Sequence, residues 1–86
     1  MIILMSKSDV EQLQPFNQKG NLVVLMMDAI YAIDKLQDFA GDLFVLETDW
    51  QASGLPKPSI KNKQVEFIDD QKWVNLCAQH APVIRL

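Results

Sequence analysis

Cysteine and histidine each occur once in the 86 residues, as Cys77 and His80. A lone thiol excludes an internal disulfide framework and fits a reducing compartment. One Cys and one His cannot build a four-ligand zinc site. Arginine also occurs once, as Arg85, and the net charge is −3. Nucleic-acid affinity is dominated by neutralisation of phosphates with Lys and Arg, so an acidic chain is a poor direct binder of RNA or DNA. Its balance suits a basic protein partner instead. No apolar run approaches the roughly 18 residues of a membrane helix. The opening "MIILMSKSD" has a five-residue apolar run and no basic segment before it, so it does not read as a signal peptide. The expected location is the cytoplasm, away from membranes. With three glycines there is no Gly-rich phosphate loop. Nor is there a Ser–His–Asp signature or metal-spaced cluster, and no cofactor is expected.

Apolar residues, by contrast, are abundant. Hydrophobic types make up 49% of the chain, with two Trp, four Phe and four Met. A chain of this length reads as one domain over residues 1–86, and it buries only about 60 to 65% of its unfolded surface. That is more apolar surface than so small a domain easily hides. Part of it is expected at a protein–protein interface, in an oligomer or a subunit.

Along the chain, Met1 to Met5 read as a strand buried on both faces. Ser8 and Glu11 match a capping box for a helix over residues 9–18, made irregular by Pro15 and closed by Lys19 and Gly20. Residues 21–27 form the second strand. Asp28 is expected to cap a helix over residues 29–36, with Ile30, Tyr31 and Ile33 on its buried side. Residues 43–47 read as the third strand, and Thr48 or Asp49 starts a short helix ending at Gly54. The stretch "LPKPSIKNK" is a loop. Residues 64–68 read as the fourth strand, and Asp69 caps a helix carrying Trp73, Leu76, Cys77 and His80 on one face. After Pro82, "VIRL" forms a short fifth strand. The alternation predicts a small three-layer α/β/α domain with a mostly parallel sheet of four to five strands.

Several residues invite a chemical role. Asp28 ends a buried strand, where α/β sheets bind ligands, yet aspartate is also a favoured helix cap, and capping is the expected role. Cys77 and His80 lie three residues apart on one helical face. They fall in the last turns, where the negative end of the helix dipole disfavours a thiolate, so Cys77 is expected in the core. His80 reads as a cation favoured by that same dipole. Trp73 is expected to pack in the core, and Trp50 at an interface. Lys57, Lys61 and Lys63 read as a solvated loop. Hydrophobic residues near strand ends and short helices, Met27, Tyr31 and Trp50, are the interface candidates, together with Asp28.

Three segments carry a family resemblance. "NLVVLMMDAIYAI" resembles the apolar strand, Asp turn and short Ala-containing helix of TusB and DsrH proteins, members of the DsrE/DsrF/DsrH-like sulfur-relay group. "DLFVLETDWQASGL" is similar to that family's next strand and helix, and "EFIDDQKWVNLCAQH" to its last strand and helix. The resemblance covers nearly the whole chain in the same order. It implies a small subunit without the essential relay cysteine, joined to TusC-like and TusD-like partners in a heterohexamer, a dimer of trimers. That assembly relays persulfide sulfur in the cytoplasm for 2-thiolation of the tRNA wobble uridine. The chain departs from the pattern at Ala29, where the family usually has Gly. It also lacks the Cys that some DsrH members carry in the first helical region, having Gln12, Leu13 and Gln14 there. This favours the TusB-like reading, of a subunit that is not itself an enzyme. Two alternatives stand beside it: a sulfur carrier using Cys77, or a DsrH-like subunit in sulfur oxidation. An isolated chain with bare partner surfaces is also a candidate for self-association.

Overall fold

The computed structural model describes residues 1–56 and 65–86. Five short strands form one sheet: β1 (Ile2–Met5), β2 (Leu22–Leu25), β3 (Asp42–Leu46), β4 (Val65–Ile68) and β5 (Val83–Arg85). Every pairing is parallel and the spatial order is β4-β3-β2-β1-β5. The expected α/β class and parallel sheet are therefore borne out. The lysine positions 57, 61 and 63, and Gln64 at the expected start of the fourth strand, lie outside the described residues.

Side chains on successive strand residues point to opposite faces, and the core divides accordingly. Ile3, Met5, Val23, Leu25, Leu43 and Val45 belong to one buried cluster. Ile2, Leu4, Leu22, Val24, Leu46 and Ile68 belong to the other. Right-handed crossovers from β1 through β4 all step in one direction, so their helices share one face. These are two 3₁₀ helices, Val10–Phe16 and Met27–Leu36, and the helix α1 (Glu47–Ser53). They contribute Leu13, then Ala29, Ile30, Ile33 and Leu36, then Trp50 to the first cluster. The return from β4 to β5 crosses the sheet and carries α2 (Asp70–Gln79) over the other face, where Leu76 is buried and Trp73 and Cys77 pack partly.

Helix starts differ from expectation in instructive ways. Asp9, not Ser8, caps the first 3₁₀ helix, its carboxylate accepting the Glu11 N–H at 3.2 Å. Asp28 caps nothing. It lies inside the first turn of a helix whose N-cap is Met26, and no side chain caps it. Both segments wind as 3₁₀ rather than α helices. Tyr31 is not on the buried side, because Ala29, Ile30, Ala32, Ile33 and Leu36 fill it. Neither Thr48 nor Asp49 caps α1, which begins directly at Glu47 after Leu46. Asp69 does cap α2, accepting the Lys72 N–H at 2.8 Å.

At the N-terminal rim of the sheet, asparagines tie loops to strands. Asn21 donates from Nδ2 to the Phe16 carbonyl at 2.8 Å, and its own carbonyl accepts the Asp42 N–H at 3.0 Å. Asn17 Oδ1 accepts the Ala40 N–H at 2.7 Å. Gly41 sits between them, so tightly that a Cβ there would meet the Asn21 carbonyl oxygen at 2.0 Å.

Candidate functional site

The opposite rim, at the C-terminal ends of the strands, holds most of the candidate residues. Parallel α/β sheets present their loops and helix starts there, which makes it the usual position for recognition. Met26 extends the β2 ladder, donating its N–H to the Met5 carbonyl at 3.0 Å. At Met27 the backbone turns sharply, with φ of 51°. This left-handed region brings Cβ close to the carbonyl of an L-residue and disfavours it by about 1 to 2 kcal/mol. A contact from another element holds the turn: the Asp49 carboxylate, on α1, accepts the Met27 N–H at 2.9 Å. The Ala29 N–H then donates to the Met26 carbonyl at 3.1 Å and begins the 3₁₀ helix.

This corner displays apolar side chains. Met27 is 67% exposed and Tyr31 58%. With Asp28, Asp49, Ala52 and Ser53 they line a cleft of about 190 Å³. On the other side of Met27 lies a second cleft of about 290 Å³, shared with Leu4, Met26, Trp73 and Arg85. Its wall holds an orphan donor, since Trp73 Nε1 is buried without a hydrogen-bond partner. Met27 is thus a ridge between two hollows. Neither Asp28 nor Asp49 has an ion-pair partner among the described residues.

Two candidates fall outside this arrangement. Trp50 is only 7% exposed and meets the Phe67 ring edge-on, with centroids 5.6 Å apart. Its side chain is core rather than surface, because α1 lies flat on the sheet and aims the indole inward. Cys77 is half-buried on α2 against the second cluster. It lies one turn beyond Trp73, away from the strand ends where α2 begins. No hydrogen bond joins it to His80, whose N–H caps the helix on the Leu76 carbonyl at 3.0 Å. The thiol and imidazole are not hydrogen-bonded to each other, and Cys77 packs only partly against the core in which it was expected.

Asp49 is the rim residue that sequence reading missed. Its role depends on a contact across 22 positions, which no local pattern encodes. Among the described residues, no group of His, Cys, Asp and Glu could hold a metal ion. Likewise, no described helix is long and apolar enough to cross a membrane.

Residues 5–83 match the protein family described as DsrH like protein. No curated protein matches the chain.

Proposed function

The chain belongs to the DsrH-like protein family, and from that premise we propose that it is a non-catalytic subunit of a sulfur-relay assembly. The observation that carries the reading is the family match over residues 5–83, on a chain whose five strands and their connections follow the expected order. Sulfur relay needs a thiolate that is exposed and nucleophilic. The one thiol here, Cys77, is half-buried and not hydrogen-bonded to His80, which supports a reading in which another chain carries the sulfur. What this chain offers instead is apolar surface at the strand ends, in Met27 and Tyr31.

In its finer form the proposal is a cytoplasmic assembly with TusC-like and TusD-like subunits, arranged as a dimer of trimers, that supports 2-thiolation of the tRNA wobble uridine. Deleting the chain's gene is expected to lower tRNA 2-thiouridine, and complementation with the Cys77→Ser variant is expected to restore it as well as the wild type does. A normal 2-thiouridine level in the deletion strain would refute the thiolation role. Persulfide found on Cys77 after incubation with a sulfur donor would move the relay chemistry onto this chain.

A further inference from the structure

We infer that the rim formed by Met27, Asp28, Tyr31 and Asp49 docks a cationic segment of a partner subunit, one that presents a lysine beside an apolar side chain. The inference rests on the subunit reading above and adds which surface is used and what chemistry meets it.

Three observations converge. The first is exposure. Met27 and Tyr31 are two of only four large hydrophobics that stand exposed among the described residues, and they line one cleft together. Met and Tyr are types enriched in interface cores. The second is pre-organisation. The Met27 backbone is held at φ 51° by the Asp49 carboxylate, so the thioether projects from a fixed corner rather than a loose loop. A fixed backbone corner loses less freedom on binding than a loose loop does. The third is charge. Asp28 and Asp49 flank the apolar pair, and neither is neutralised by an ion pair among the described residues.

Charge decides the occupant. Two carboxylates beside a thioether and a phenol ring match a lysine, whose aliphatic stem packs on Met27 and Tyr31 while its ammonium meets the acids. Phosphate-bearing partners are repelled by the same carboxylates. A second copy of this chain meeting the rim with its own rim would bring two more carboxylates to the contact and only Arg85 from the neighbouring cleft to offset them. A hetero-partner carrying lysine leaves no such excess.

The test uses the assembly purified from its own cells through a tag on this chain. Carbodiimide with glycinamide labels exposed carboxylates, and carbodiimide alone joins a carboxylate to a lysine within contact distance. Asp28 and Asp49 are expected to label less in the assembly than in the free chain, and one of them to cross-link to a lysine of a partner chain. Asp28→Lys combined with Asp49→Asn, which keeps the acceptor for Met27, is expected to reduce recovered partner by about tenfold or more. Asp38→Lys changes a charge near the opposite rim and leaves recovery unchanged. Met27→Gly suits the positive φ, so it removes the anchor without lowering the chain's own unfolding midpoint, yet it also reduces recovery.

Equal labelling in both states, with full recovery by the double variant, would overturn the rim assignment while leaving the subunit reading intact. A cross-link to a second copy of this chain would overturn it in favour of self-association. A wild-type chain recovered alone would remove the subunit reading, and the rim assignment with it.

Discussion

Replacing Gly41 with alanine adds a single methyl group, yet its effect should be among the largest of any substitution in the chain. The added Cβ falls 2.0 Å from the Asn21 carbonyl oxygen and 2.9 Å from its carbonyl carbon. The Phe39 ring closes the third side at 2.7 Å. A flexible side chain could swing aside, but here the nearest obstacle is backbone. That same Asn21 oxygen accepts the Asp42 N–H at 3.0 Å and starts the β2–β3 pairing. Relieving the clash means separating the two strands at their first rung. Overpacking a tight site destabilises by about 1 to 3 kcal/mol. The weakened hydrogen bond adds about 1 kcal/mol. The sum is about 3 kcal/mol, a large part of the total stability of a chain this small, and it lowers Tm by roughly 12 to 24 °C. Urea unfolding followed by circular dichroism measures it directly: the midpoint falls while the slope stays constant. Gly20→Ala is the matched control. No atom lies within 4 Å of its added Cβ, and only its φ of 98° opposes the substitution. Its effect should stay near 1 kcal/mol. A Gly41→Ala variant within about 0.5 kcal/mol of wild type would refute the steric argument.

Further substitutions probe other elements. Asp69→Ala removes the N-cap of α2 and should cost about 1 kcal/mol, read as a lower urea midpoint. Trp50→Ala empties a core position packed on Phe67 and should cost about 3 to 5 kcal/mol. An effect of Trp50→Ala on partner recovery but not on stability would return that residue to the surface. Tyr31→Ala should change stability by less than about 0.5 kcal/mol, because its ring stands in solvent. A large drop would show that the ring packs on its own chain.

Strands were the legible part of this fold. "IILM", "LVVL" and the alternating "VEFI" carry enough apolar character to be found within one or two residues of their ends. Their order in the sequence then implied the parallel sheet. Helix type was not legible. Apolar residues at 29, 30, 32, 33 and 36 fit a period of 3.0 nearly as well as 3.6 over ten residues, so the pattern does not separate 3₁₀ from α. Asp28 looked like a cap because aspartate often is one. The turn at Met27 comes one residue earlier and places Asp28 inside the helix. Trp50 read as exposed amid polar neighbours, since its ring partner Phe67 lies on another strand. Met27, Asp28 and Tyr31 were singled out by composition. What joins them into one surface is Asp49, through a long-range contact invisible to any window along the chain.

The strand order also sets a schedule for assembly. Strands β1, β2 and β3 each pair with the next in sequence, so the first four strands can form a growing ladder as the chain leaves the ribosome. β5 breaks that pattern by returning to β1, and Ser6 Oγ donates to the Leu86 carbonyl across 80 positions. Until residues 83–86 emerge, β1 is an uncovered edge, bare of partners along one whole side. An apolar strand in that state is a template for pairing with any other nascent chain. The pairing that removes this edge is therefore, in order of sequence, the last one the sheet can make.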